Sequence, residues 1–245
     1  YIYLMLLPVI IYFIIFKYWP MGWLSISFYD YKLLTGFEGS KYVGLKHFIN
    51  FFTGMDSFRV ISNTLLINIY SLIFVFPIPI LFALLLNELQ FPKFKRVVQT
   101  ISYMPYFIST AVLVSMIITI LSPSFGTVNA IIKAFGREPI YFLGDPKYFR
   151  SIYIISGIWQ GTGWSSIVYL SALTTIDEAL YEAAIIDGAN RFQRIRHITI
   201  PGIQSTIIIM LILNIGNLMN IGFDKAFLLQ NPLNISASEV ITTYV

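Results

Sequence analysis

Cysteine is absent from all 245 residues, which excludes disulfides and thiolate metal sites while saying little about compartment. Charge is scarce too: 11% of the residues are Asp, Glu, Lys or Arg, against roughly 25% in ordinary soluble domains. With 57% hydrophobic residues, the chain has too few polar side chains to cover a water-facing exterior. Lipid as solvent removes that requirement and leaves only the backbone to be satisfied. No G-x-x-x-x-G-K-[ST] run is present to cradle a phosphate, so the chain is not expected to hydrolyse a nucleotide or to be an enzyme. His47 and His197, the two histidines, lie too far apart in sequence, on opposite expected sides, to share a metal site. A formal charge of +4 would suit nucleic acid, but membrane topology also requires a basic excess. Nucleic acid is not an expected partner.

What is abundant is uninterrupted apolar sequence. Val60 to Asn87, Val97 to Ile132, Ser151 to Ile176 and His197 to Phe223 contain no Lys, Arg, Asp or Glu, and each exceeds the roughly 20 residues that span hydrocarbon. Tyr1 to Phe28 is interrupted only by Lys17, whose flexible stem can carry its ammonium to the interface beside Tyr18 and Trp19. Tyr3 to Phe16 could be the apolar part of a signal peptide, but no small-residue cleavage site follows and Trp19 to Phe28 stays apolar. A retained helix is preferred. The expected architecture is an all-α, polytopic membrane bundle of five complete spans, forming one transmembrane domain over residues 1–245. Tyr1 is not an initiator Met, and Glu239 to Val245 could begin a sixth helix, so the sequence is expected to be a piece of a longer protein.

Short basic connections usually face the cytoplasm. Lys93, Lys95 and Arg96 crowd the second connection, and Arg191, Arg194 and Arg196 crowd the fourth, which places both inside, with a cytoplasmic N-terminus. The first connection, about 29–58, is then external. Pro8, Pro77, Pro79 and Pro105 within the spans remove backbone donors and tend to kink helices.

The segment from Thr175 to Pro201 reads as helix, turn, helix. Thr175 followed by Glu178 is a capping box, and Asp177 and Glu178 put negative charge on the first turn, where the helix dipole favours it. Ile176, Ala179, Leu180, Ala183 and Ile186 recur at helical spacing, so the helix is amphipathic. Gly188 suits positive φ at the helix end, and Asn190 with Gln193 can cap a second short helix. Small residues at Ala183, Ala184, Gly188 and Ala189 allow close approach of another surface. Docking of a protein partner is favoured over a helix lying on headgroups, because interfacial helices usually pair Lys or Arg with large apolar residues.

Polar groups inside spans are candidates for a solute path. Asn214, Asn217 and Asn220 recur at helical spacing and would share one broad face; a helix-to-helix polar contact fits them equally. Trp159, Gln160 and Trp164 cluster around Gly161 and Gly163, and Tyr103, Tyr106 and Ser109 lie in the third span. For both sets packing is the competing reading. The spans hold no buried pair of acids and bases, which argues against proton-driven transport.

Glu182-Ala183-Ala184, Asp187-Gly188-Ala189, Ile198 and Pro201 resemble the EAA signature of ABC importer permeases. The resemblance implies a type I permease fold in the bacterial cytoplasmic membrane. It also implies a coupling segment at about 175–200, seated on an ATP-hydrolysing subunit through Glu182, Ala183, Ala184, Asp187, Gly188 and Ala189. Tyr42-Val43-Gly44-Leu45-Lys46-His47-Phe48, Asn63-Thr64 and Gly126-Thr127-Val128-Asn129 are similar to the maltose-type carbohydrate group. Trp19-Pro20-Met21 and Tyr29-Asp30-Tyr31 look like the branch handling plant or algal polysaccharide fragments. By resemblance, the partners are a second homologous permease, two ATP-binding subunits, an extracellular solute-binding protein and an oligosaccharide. The partner ATPase would use ATP and Mg, and this chain would bind no cofactor. The alternatives are an importer of the same architecture for a glycerophosphodiester, an amino acid or a metal, and a receptor or scaffold without transport.

Overall fold

The computed structural model describes residues 2–244. Tyr1, at the start of the expected first span, and Val245, at the end of the expected sixth helix, lie outside the described residues. The chain divides into a first unit ending at Phe58 and a second beginning at Arg59.

The first unit opens with α1 (Ile2–Phe13), which continues through a wide turn over Ile14–Tyr18 and a tightly wound Gly22–Phe28. Met5–Phe28 forms one apolar helix of 24 residues. Strands β1 (Tyr29–Lys32) and β2 (Gly36–Tyr42) then pair antiparallel, with Tyr29 opposite Tyr42 and Lys32 opposite Gly36. This hairpin departs from the all-helical expectation. Tyr29 and Tyr31 alternate inward with Phe37, which lies 5.5 and 5.3 Å from them, and period-two aromatic burial is a strand signal. Gly36, at φ +60°, closes the turn. A short helix, α2 (Lys46–Thr53), follows, with His47 Nε2 3.1 Å from the Tyr29 carbonyl.

The second unit begins within α3 (Met55–Tyr70), which passes through a wide turn, Ser71–Val75, into α4 (Pro77–Asn87). There follow α5 (Pro92–Tyr103), α6 (Thr110–Leu121), α7 (Thr127–Ala134) and the long α8 (Pro146–Leu173). Next come α9 (Glu178–Ile186), α10 (Arg191–Arg194), α11 (Gln204–Gly216) and α12 (Phe223–Leu229). The chain closes on turns at Ile235–Ser238 and Ile241–Tyr244.

Proline placement explains the irregular turns. The residue before each of Pro20, Pro77 and Pro201 donates its N–H five residues back, from Trp19 to Ile14, Phe76 to Ser71 and Ile200 to Ile195. Proline has no N–H and its ring crowds the carbonyl one turn earlier; widening the turn relieves both. The expected third span is not one helix. After Pro105 the chain bends by 100° between Pro92–Phe107 and Thr110–Leu121, Ser109 caps α6 by accepting from the Val112 N–H at 3.4 Å, and α6 stops at Leu121. The expected fifth span bends by 62° between Arg191–Gly202 and Gln204–Gly216 and ends at Gly216, short of Phe223.

By length and composition, Met5–Phe28 and Asp56–Asn87 are apolar enough to cross a membrane, and the two bent pairs bring the candidates to four. α8, the expected fourth span, has the length but not the apolarity. It packs against α4, α5 and α11, and the faces those helices cover need no lipid-facing apolar side chains. Gly163 makes that packing possible: a Cβ there would stand 2.0 Å from the Ser102 carbonyl oxygen.

Two apolar clusters build the core. Phe149 joins Ile67, Val114, Ile221 and Ala226 in one, and Tyr169 joins Ala83, Leu84 and Ile203 in the other. Buried polar staples complete it. Asn63 donates to the carbonyls of Ser236 and Glu239 at 2.9 and 3.0 Å and accepts from Arg150 at 2.9 Å. Thr64 Oγ1 accepts from the Ile241 N–H at 3.0 Å, and Arg59 pairs with Glu239. Asn129 binds the carbonyls of Leu121, Ser122 and Ile140 and accepts from the Ile140 N–H.

Candidate coupling segment and solute cavity

α9 starts two residues later than the sequence spacing implies. Asp177, not Thr175, is the cap, its carboxylate accepting from the Ala179 N–H at 3.0 Å. Thr175 Oγ1 instead donates back to the Ala172 carbonyl at 2.8 Å, which occupies the hydroxyl with the end of α8. The helix ends as a Schellman turn: Ala189 N–H reaches the Ala184 carbonyl at 2.9 Å and Gly188 N–H the Ile185 carbonyl at 3.0 Å, with Gly188 at φ +77°. Asn190 and Gln193 form a reciprocal capping box that starts α10.

The stripe of Ile176, Ala179, Leu180, Ala183 and Ile186 does not face inward as a unit. Ile176 alone is partly buried, and its side chain sits where a Cβ on Gly202 would be, 2.7 Å away. Tyr181 also turns inward, its Oη 3.0 Å from Oγ1 of the buried Thr199, and Ala184 and Ala189 are half-buried. Ala179, Leu180, Glu182, Ala183, Asp187 and Gly188 are exposed, and Ile186 is 85% exposed. The outer surface of α9 is thus small-residued and partly apolar, while Glu88, Glu182, Arg191 and Arg194 edge an adjoining cavity of about 640 Å³.

A second cavity, of about 240 Å³, lies between the wide turn Ser71–Val75, α8 and the end of α11. Asn214, Asn217 and Asn220 all line it. They do not share a helix face: α11 ends at Gly216, and the spacing survives because Asn217 N–H binds the Asn214 carbonyl at 3.1 Å and Asn220 N–H the Asn217 carbonyl at 2.9 Å. Three-residue turns eclipse positions i and i+3. The amides of Asn214 and Asn217 donate back to Met210 and Leu213, each leaving a carbonyl oxygen and a second hydrogen. Asn68, Ser71, Ser165 and Tyr169 join the lining; Asn68 and Ser71 carried a signal, being polar positions inside an apolar span. Among the described residues, none that lines this cavity is charged.

The remaining candidates are elsewhere. Gln160 donates to the Ile108 carbonyl at 3.0 Å, satisfying a group freed by the bend after Pro105. Trp164 stacks on Tyr106 at 4.8 Å, 7° from parallel. Trp159 lines an apolar groove with Leu113 and Ile117.

A largely helical chain with long apolar segments, a capped and exposed helix–turn–helix and an uncharged polar cavity has the elements of a solute-conducting membrane protein. Residues 76–237 match the family of binding-protein-dependent transport system inner membrane components, and the chain belongs to that family, whose members are transporter permeases and not themselves catalytic. The chain is 46% identical over 245 residues to the polygalacturonan/rhamnogalacturonan transport system permease protein YteP of Bacillus subtilis (strain 168), covering 100% of this chain and 76% of that protein. Its fold matches the crystal structure of a bacterial ABC transporter involved in the import of the acidic polysaccharide alginate, with TM-score 0.91, 42% identity, and 99% and 82% of the two chains covered. A crystal structure of the bacterial alginate ABC transporter in complex with an alginate pentasaccharide-bound periplasmic protein matches with TM-score 0.89 and 43% identity over 99% of this chain and 81% of that one. The resemblance read from the EAA signature is therefore shown, and the fold is that of a type I ABC importer permease.

Proposed function

We infer that this chain is the transmembrane permease subunit of an ATP-driven importer of an oligosaccharide, lining half of the path and receiving force from separate ATPase subunits. The observation that carries this reading is the outer surface of α9: exposed Ala179, Leu180, Ala183 and Ile186 beside a turn pinned by Gly188. Such an apolar face on a short helix with an acidic first turn suits a protein groove better than headgroups. The relatives, named for polygalacturonan, rhamnogalacturonan and alginate, support a polysaccharide fragment as solute.

In this reading residues 1–245 are one permease domain, crossing the bacterial cytoplasmic membrane five times from a cytoplasmic N-terminus. The spans are Met5–Phe28, Asp56–Asn87, the two bent pairs and α8. The external loop covers about 29–58 and the cytoplasmic coupling segment about 175–200, each running into the start of the following span. The partners are a homologous second permease, two ATP-binding subunits that use ATP and Mg, and an external solute-binding protein; the chain itself holds no cofactor. Glu182, Ala183, Ala184, Asp187, Gly188 and Ala189 form the coupling contact. Closure of the ATPase pair displaces α9, and the Tyr181–Thr199 hydrogen bond with Ile176 seated on Gly202 passes that displacement to the base of α11. The other end of α11 presents Asn214, Asn217 and Asn220 to the sugar hydroxyls. Tyr106, Trp159 and Trp164, each over 40% exposed, offer flat outer contacts for sugar C–H faces, and Gln160 holds the bend that positions them.

A Cβ on Gly188 would meet nothing within 4 Å, so the cost of a side chain there within this chain is the strain of its positive φ, +77°. Gly188→Trp is expected to abolish co-purification of the ATPase subunits and solute-stimulated uptake. Gly188→Asn, which tolerates the left-handed conformation, retains most of both. Full assembly and uptake in the Trp variant would sink the docking role.

A further inference from the structure

The hairpin β1–β2 does not continue outward from the end of the first span; it folds back along it. Phe37, next to the turn, has its ring 5.9 Å from that of Trp23, and Trp23 lies inside the tightly wound Gly22–Phe28. At about 2.0 Å rise per residue, Trp23 is roughly 10 Å back from the strand start. A hairpin pointing straight away would instead carry Phe37 outward by about 3.3 Å per residue. The Phe28 carbonyl accepts from both Val43 and Gly44 N–H at 2.8 and 3.1 Å, which fixes the base of the hairpin at the end of the helix, and the Trp23–Phe37 contact sets its direction. The tip that results is Lys32-Leu33-Leu34-Thr35, with Leu33 92% and Leu34 100% exposed.

We propose that this hairpin is a membrane-surface anchor whose Leu33–Leu34 tip enters the headgroup and acyl boundary of the leaflet it emerges from. The hairpin adjoins the apolar surface of the span, because Phe37 beside the turn rests against exposed Trp23, and Trp19 and Leu24 on the same helix are exposed too. Trp and Tyr concentrate at this depth, and Trp23, Tyr29, Tyr31, Phe37 and Tyr42 gather along the hairpin. Lys32 is the charge nearest the tip; its stem can lie along the leucines while its ammonium meets phosphate. Asp30, exposed and opposite Lys41, lies back along the strands, whereas Glu38, also exposed, stands beside the turn, where the Gly39 N–H reaches the Thr35 carbonyl at 3.4 Å. A peptide loop immersed in water gains nothing from two adjacent, fully exposed leucines, whereas an interfacial segment gains the burial of both.

The proposal rests on Met5–Phe28 crossing the bilayer, and the test separates the two. Because the chain has no cysteine, a single thiol can be placed at will. Full-length protein carrying Leu34→Cys, Leu33→Cys, Glu38→Cys or Phe13→Cys is labelled with an environment-sensitive fluorophore. It is then assembled with its partner subunits in vesicles of phosphatidylcholine and phosphatidylglycerol. Nitroxide attached near the headgroup is expected to quench the probe at positions 33 and 34 to roughly half, and aqueous iodide to quench the probe at 38. Iodide reaching positions 33 and 34 as freely as 38, with no effect of the nitroxide, would overturn the anchor. So would protection that appears only when the solute-binding protein is added, which would identify a protein contact. Phe13→Cys reports the span itself: iodide quenching there would remove the span reading rather than the anchor alone.

Discussion

Asn63, Asn129 and Asn234 are at most 2% exposed, and each spends its amide on several fixed partners. Asn214, Asn217 and Asn220 are exposed on a cavity wall, and the first two donate only to their own helix. One chemical group is thus used in two ways within the same unit. Where carbonyls from several segments converge on a buried amide, the side chain is a staple whose loss strands every partner. Where the amide borders open space, its remaining hydrogen-bonding capacity is available to a solute.

The contrast is sharpest at Asn63. Asn63→Ala strands Arg150 and two backbone carbonyls, and is expected to lower stability by about 3 kcal/mol, read as a fall in the melting temperature of detergent-solubilised protein. A variant that melts with the parent would mean that apolar packing alone joins α3, α8 and the Ile235–Tyr244 region. Thr64→Val keeps the shape but leaves the Ile241 N–H without its acceptor; about 1–2 kcal/mol is expected from the same measurement. Asn217→Ala should sit at the other extreme, changing stability by less than about 0.5 kcal/mol. Uptake at limiting solute, reconstituted with binding protein and ATPase, should fall roughly fivefold, the equivalent of one hydrogen bond of about 1 kcal/mol. If Asn217→Ala unfolds the protein while uptake per folded molecule is unchanged, the two groups of asparagines are not distinct.

The helical fold was legible from unbroken apolar runs, because each run must satisfy its backbone within itself in lipid. Its breaks were less so. Pro105 signalled a kink, but the 100° bend is completed by Gln160 binding the Ile108 carbonyl, and that partnership crosses helices. The hairpin at Tyr29–Tyr42 was not read as strand because its aromatic alternation is short and adjoins an apolar helix. In the candidate coupling segment, Gly188 and the Asn190–Gln193 box followed from local backbone chemistry, whereas Thr175 lost the cap to Asp177 because its hydroxyl already served the end of α8. The polar residues of the fourth span looked like one cluster on paper, yet Trp159, Gln160 and Trp164 diverge around α8 to a groove, a bend and an aromatic stack.

Residence in lipid, the capped and glycine-turned segment, and membership of a permease class were determined by the amino-acid order alone, since hydropathy, capping and positive φ act over a few residues. Tertiary structure decided which side of α9 is left open and which amides are staples. It also drew Asn68, Ser71, Ser165 and Tyr169 to the same cavity as Asn214. Those outcomes depend on which helices meet, and close approach at Gly163 and Gly202 sets that by steric fit between residues far apart in sequence.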